Sequence, residues 1–103
     1  MNDRMILIAD DEAELLEMVK SIFERAGFTQ VLTAVSGEAA LKICKEKQPD
    51  MVILDVMMPR MDGFTTLREI RKVSKVPVLM LTAHGEAAVS YTHLRAHETG
   101  AYL

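Results

Sequence analysis

The chain has one cysteine, three prolines and no tryptophan in 103 residues, and only 5% of it is aromatic. A single thiol, Cys44, cannot close an internal disulfide, so a disulfide-stapled secreted scaffold is excluded and a reducing compartment fits. Three prolines and five glycines are too few for a collagen-like or low-complexity chain. Basic residues are not in excess: 12 Lys and Arg stand against 15 Asp and Glu. A surface for duplex DNA needs clustered Lys and Arg, so no nucleic acid is expected to bind through this domain. No apolar run approaches the ~18 residues of a membrane helix. The opening Met1-Asn2-Asp3-Arg4 lacks the basic start and apolar stretch of a signal peptide. The expectation is therefore a cytoplasmic protein with no membrane contact. What is present is an ordinary globular mixture, 50% hydrophobic and 26% charged, at a length that suits one domain and not two.

Hydrophobic periodicity alternates along the chain. Met5-Ile6-Leu7-Ile8-Ala9 is a continuous apolar run stopped by Asp10-Asp11-Glu12, as for a strand buried on both faces. Leu15, Leu16, Val19, Ile22, Phe23 and Ala26 then recur at helical spacing, with Asp11 and Glu14 as a capping-box pair and Gly27 as the stop. Residues 28–35 carry alternating Thr and Val and read as a second strand. Ser36 is an N-cap for a helix over 39–47, which Pro49 ends. Met51-Val52-Ile53-Leu54 is a third strand closed by Asp55, followed by a turn-rich loop over 58–63. Leu67, Ile70 and Val73 mark a third helix, and residues 76–81 a fourth strand. Strands alternating with helices imply βαβ units, hence an α/β fold with a parallel sheet. Thr82 to Leu103 offers no recognisable fifth strand, so the fourth strand is expected to be an exposed edge.

In open parallel sheets, ligands sit beyond the carboxyl ends of the strands. The first strand ends in Asp10-Asp11, the third in Asp55 and the fourth in Thr82-Ala83. Three carboxylates on one edge repel unless a cation or proton offsets them. Oxygen-only ligands suit Mg²⁺, and no Cys/His cluster at these strand ends calls for zinc. A carboxylate beside Mg²⁺ can also act as a nucleophile toward phosphorus. Taken singly, each residue is more ordinarily a cap or turn residue. Their placement at three strand ends in order is the specific signal.

Four segments carry a family resemblance: Ile8-Ala9-Asp10-Asp11-Glu12, Ile53-Leu54-Asp55-Val56-Met57-Met58-Pro59, Met61-Asp62-Gly63 and Leu79-Met80-Leu81-Thr82-Ala83. Together they resemble the receiver domain of bacterial two-component response regulators, over roughly residues 5–85. The resemblance implies a flavodoxin-like, doubly wound sheet that accepts a phosphoryl group from a histidine kinase. It makes Asp55 the phosphoacceptor, and Asp10, Asp11 and Asp55 with the Met57 backbone carbonyl the Mg²⁺ ligands. It makes Thr82 the switch hydroxyl, lets Gly63 permit the turn, and puts Met57 and His84 at variable positions that tune access of water. No enzyme activity beyond self-phosphorylation and dephosphorylation at Asp55 is implied. Residues 68–83 also resemble the branch whose parent proteins carry a winged-helix output domain, and that branch allows receiver dimers.

The family's Lys-Pro at the end of a fifth strand has no counterpart, since no Lys follows Lys75 and no Pro follows Pro77. The expected fold is thus a receiver cut short after the fourth strand, spanning residues 1–87. Residues 89–99 resemble the translation of a transposase-type sequencing adapter in one reading frame, so 88–103 is expected to be a non-native tail. On that reading the His93/His97 pair carries no metal meaning. Two other functions stay open. One is a receiver-like interaction module that is not phosphorylated. The other is a Mg²⁺-dependent aspartyl-phosphate phosphatase, which wants an acid where Met57 stands.

Overall fold

A computed structural model describes residues 2–81 and 87–90. Its elements alternate: β1 (Asn2–Ala9), α1 (Ala13–Arg25), β2 (Phe28–Ala34), α2 (Gly37–Lys47), β3 (Met51–Asp55), α3 (Gly63–Arg71), β4 (Val78–Leu81) and β5 (Ala87–Ser90). The sheet order is β2-β1-β3-β4-β5, with the first four strands all parallel. This is the flavodoxin-like arrangement, in which the order reverses beside β1 and leaves a crevice between β1 and β3.

Alternation along the strands sorts the core into two layers. Ile6, Ile8 and Ile53 face α1, where Leu16, Val19 and Phe23 cover them. Leu7, Ala9, Val52, Leu54, Val78 and Met80 face the other way, against Ala40 and Cys44 of α2 and Ile70 of α3. With apolar side chains on both faces, the strands read as unbroken hydrophobic runs.

Several expectations are corrected. α1 begins after Glu12, and no side chain caps it. Asp11 is not its cap; the carboxylate of Asp10 instead accepts from the Glu12 N–H at 2.9 Å. Ser36 does cap α2, accepting from Ala39 N–H at 3.1 Å. α3 ends at Arg71, so Val73 lies beyond it and is half exposed. The fourth strand is not an edge, because β5 pairs with it antiparallel, from Leu81↔Ala87 to Val78↔Ser90.

Candidate functional site

Register brings the acids together. Ala9 of β1 pairs with Leu54 of β3, so the next residues, Asp10 just past β1 and Asp55 at the end of β3, stand side by side at the carboxyl edge of the sheet. Asp11 follows at once. One carboxylate oxygen from each of Asp10, Asp11 and Asp55 lies within 4.8 Å of the others. Asp10 is buried, Asp55 half-buried and Asp11 exposed. The backbone N–H of Asp10 is spent on the Ala34 carbonyl of β2 at 3.0 Å, which fixes the point where the chain turns outward.

The electrostatics are those of like charges held close together. Burial pushes the Asp10 carboxyl above its ordinary range; the Glu12 N–H pulls it back, and the charges of Asp55 and Asp11 push it up again. Asp55 turns one carboxylate oxygen onto the N–H of Met57 at 3.1 Å, which ties the acid to the start of its own loop.

That loop, residues 56–62, is closed at its base. The Gly63 N–H donates to the Val56 carbonyl at 3.0 Å. A Cβ at Gly63 would stand 2.6 Å from the Asp55 carbonyl oxygen and 2.8 Å from Val56 Cα, so only glycine lets α3 start this close to β3. Asp62 caps α3, accepting from the Thr65 N–H at 2.8 Å. That hydrogen bond holds the Asp62 carboxyl below its usual range. The cap is legible as Asp-Gly-Phe-Thr before a helical stretch, although Asp62 and Gly63 fall within the loop expected over 58–63.

Asp10, Asp11 and Asp55 thus come together as the sequence implies, with Met57 beside them. Its side chain is exposed and its N–H is held by Asp55. Thr82, His84, His93 and His97 lie outside the described residues. The donor set is all carboxylate oxygen, on a partly desolvated and mutually repelling cluster, and it fits a hard cation better than a soft one. A cavity of about 320 Å³, lined by residues including Arg4, Phe23, Phe28 and Pro77, lies at the opposite end of the strands and takes no part in this chemistry.

Comparison with known proteins agrees with the geometry. The sequence profile of the response regulator receiver domain matches residues 6–102, a span that includes most of the segment expected to be foreign. The chain is 51% identical over 81 residues to the transcriptional regulatory protein CpxR homolog of Haemophilus influenzae, covering 79% of this chain and 35% of that protein. It resembles the crystal structure of a response regulator receiver domain protein from Clostridium thermocellum, with a TM-score of 0.75 and 40% identity over 80% of this chain and 67% of that one. The N-terminal domain of a response regulator receiver protein from Methanoculleus marisnigri gives a TM-score of 0.75 at 37% identity, covering 97% of this chain and 79% of that one. The chain spans only 34–39% of the length of these curated relatives, several of them named as transcriptional regulators. The order of its strands, its converging acids and these likenesses agree: the chain belongs to the response regulator receiver domain family.

Proposed function

We propose that this domain accepts a phosphoryl group on Asp55 from a histidine kinase, with Mg²⁺ held at Asp10, Asp11, Asp55 and the Met57 carbonyl. The observation that carries the reading is the convergence of three carboxylates within 4.8 Å, one of them buried. When bound, the metal supplies charge that offsets both the acids and the transferring phosphoryl group. The residues of the chain do the rest. An Asp55 oxygen attacks phosphorus as the bond from phosphorus to the donor's leaving atom breaks, and the leaving group departs with that electron pair. Met57 N–H, 3.1 Å from Asp55 Oδ1, steadies the carboxylate so that its other oxygen is free to react. The Glu12 N–H does the same for Asp10. Thr82, next after β4, is assigned the hydroxyl that would hold a phosphoryl oxygen. The parent protein is read as a cytoplasmic transcriptional regulator.

The test is to incubate the chain with a small phosphodonor and Mg²⁺ and weigh the intact protein. One added phosphoryl group that disappears in Asp55→Ala is the expected result. No added mass would favour the interaction-module reading, and rapid turnover of phosphoesters the phosphatase.

A further inference from the structure

The N-terminus of α2 presses on the phosphoacceptor loop at a point where there is no room for a side chain. Gly37, the first residue of α2, is buried. A Cβ there would overlap Thr66 Oγ1 and stand 2.8 Å from the Met61 carbonyl oxygen and 3.0 Å from Met61 Cγ. The obstacle is therefore backbone of the loop itself as well as the fully buried Thr66 of α3. The Thr66 hydroxyl donates to the Asp62 carbonyl at 2.7 Å and approaches the Met61 carbonyl at 3.4 Å, clamping the loop's last turn to α3.

We propose that Gly37 and Thr66 are positioning residues for the cation site: together they hold loop 56–62 so that the Met57 carbonyl stays aligned with Asp55. The inference rests on the metal reading given above. Its physical basis is that the loop has no slack. Its base is closed from Gly63 to Val56, its middle is folded by a Met61 N–H to Pro59 carbonyl bond of 2.7 Å, and Met58 is buried in the core. Arg60 already sits at φ +65°, a conformation that costs a non-glycine residue energy. A displacement of Met61 cannot be absorbed at Asp62, which is fixed as the α3 cap, so it passes back toward Met57. The exposed Arg60–Glu38 ion pair, at 3.8 Å, adds little to this junction.

The experiment is a Mg²⁺ titration of the full chain, followed by amide chemical shifts, beside a thermal melt of each variant. Gly37→Ala and Thr66→Val should each weaken Mg²⁺ binding about tenfold, the low end for losing a group that orients a ligand. Thr66→Ser keeps the hydroxyl and should bind as the parent does. Gly27→Ala is the control for general loosening. A Cβ there meets nothing within 4 Å, but φ is +104°, so the melting temperature should fall while Mg²⁺ affinity holds. Parent-like affinity in both Gly37→Ala and Thr66→Val overturns the proposal, as does an equal loss in Gly27→Ala. Should Gly37→Ala not fold, the contrast between Thr66→Val and Thr66→Ser decides alone. A parent chain that binds no Mg²⁺ refutes instead the metal reading on which the proposal stands.

Discussion

Replacing Asp10 by Asn should stabilise the metal-free protein while removing its response to Mg²⁺. Asp10 is 7% exposed, and its carboxylate lies within 4.8 Å of both Asp11 and Asp55. At that separation two like charges repel by about 0.9 kcal/mol in water and about 3.5 kcal/mol at an effective dielectric of 20. Asp11 is exposed and Asp55 half-buried, so the two repulsions together come to roughly 2 kcal/mol, nearer the aqueous limit. Asparagine keeps the oxygen that accepts from the Glu12 N–H, so the local turn survives. In a chelator at pH 7.5 the variant should gain about 1–3 kcal/mol, raising Tm by roughly 4–8 °C for each kcal/mol. Added Mg²⁺ should then stabilise the parent through binding to the folded state alone, and the variant hardly at all. The pH dependence has a definite sign. Because the folded Asp10 pKa is raised above 3.8, the native state holds this proton longer than the unfolded chain does. Metal-free stability therefore falls as pH rises from about 3.8 through the raised value, relative to the variant. A variant less stable than its parent in chelator, or one that keeps the full Mg²⁺ shift, refutes the reasoning.

Converting Asp11 and Asp55 together to Asn should abolish measurable Mg²⁺ binding by calorimetry; unchanged affinity would remove the metal assignment. Burial pushes the Cys44 thiol up to about 11, against a partial pull from Arg71, so a disulfide reagent at pH 8 should label it only through unfolding. The unfolded thiol ionises near 9.0, so stability should also decline between pH 9 and about 11, and Cys44→Ala should flatten that limb. Ile70, wholly buried between α3 and the sheet, should cost about 3 kcal/mol in urea melts when cut to Ala.

What the sequence makes legible follows from which forces are local. β1, β3 and β4 are apolar runs because both of their faces are covered, and that pattern needs no knowledge of partners. The acid cluster is legible for a similar reason: parallel strands deliver their ends to one edge, so three strand-terminal carboxylates must meet. The misreadings fall where a distant or competing contact decides. Asp11 has the spacing of a cap, yet the buried carboxylate of Asp10 reaches the Glu12 N–H first. Methionine suits a flexible core, as at the buried Met58 and Met80, but Met18 and Met57 are both more than half exposed, and residue type alone does not separate the two pairs. The tight seat of Gly37 against Thr66 and Met61 joins segments far apart in sequence, and nothing beside Gly37 marks it.

β5 bears on the origin of the tail through its direction. A parallel strand beside β4 requires a crossover of a dozen residues or more. Only residues 82–86 separate β4 from β5, so antiparallel pairing is what the chain can reach. Edge pairing of this kind uses backbone groups that every residue but proline carries, and Ala-Ala-Val-Ser contains no proline. A strand at 87–90 is therefore within reach of almost any short apolar segment placed there, whatever its source. Its presence is compatible with a foreign tail at 88–103, which the source DNA tests. Resequencing the source locus free of adapter should show a reading frame that departs from this one near Ala87. It should continue into a helix, a fifth strand and a Lys-Pro pair, as the family resemblance implies. A locus that encodes residues 89–99 as they stand here would refute the proposal.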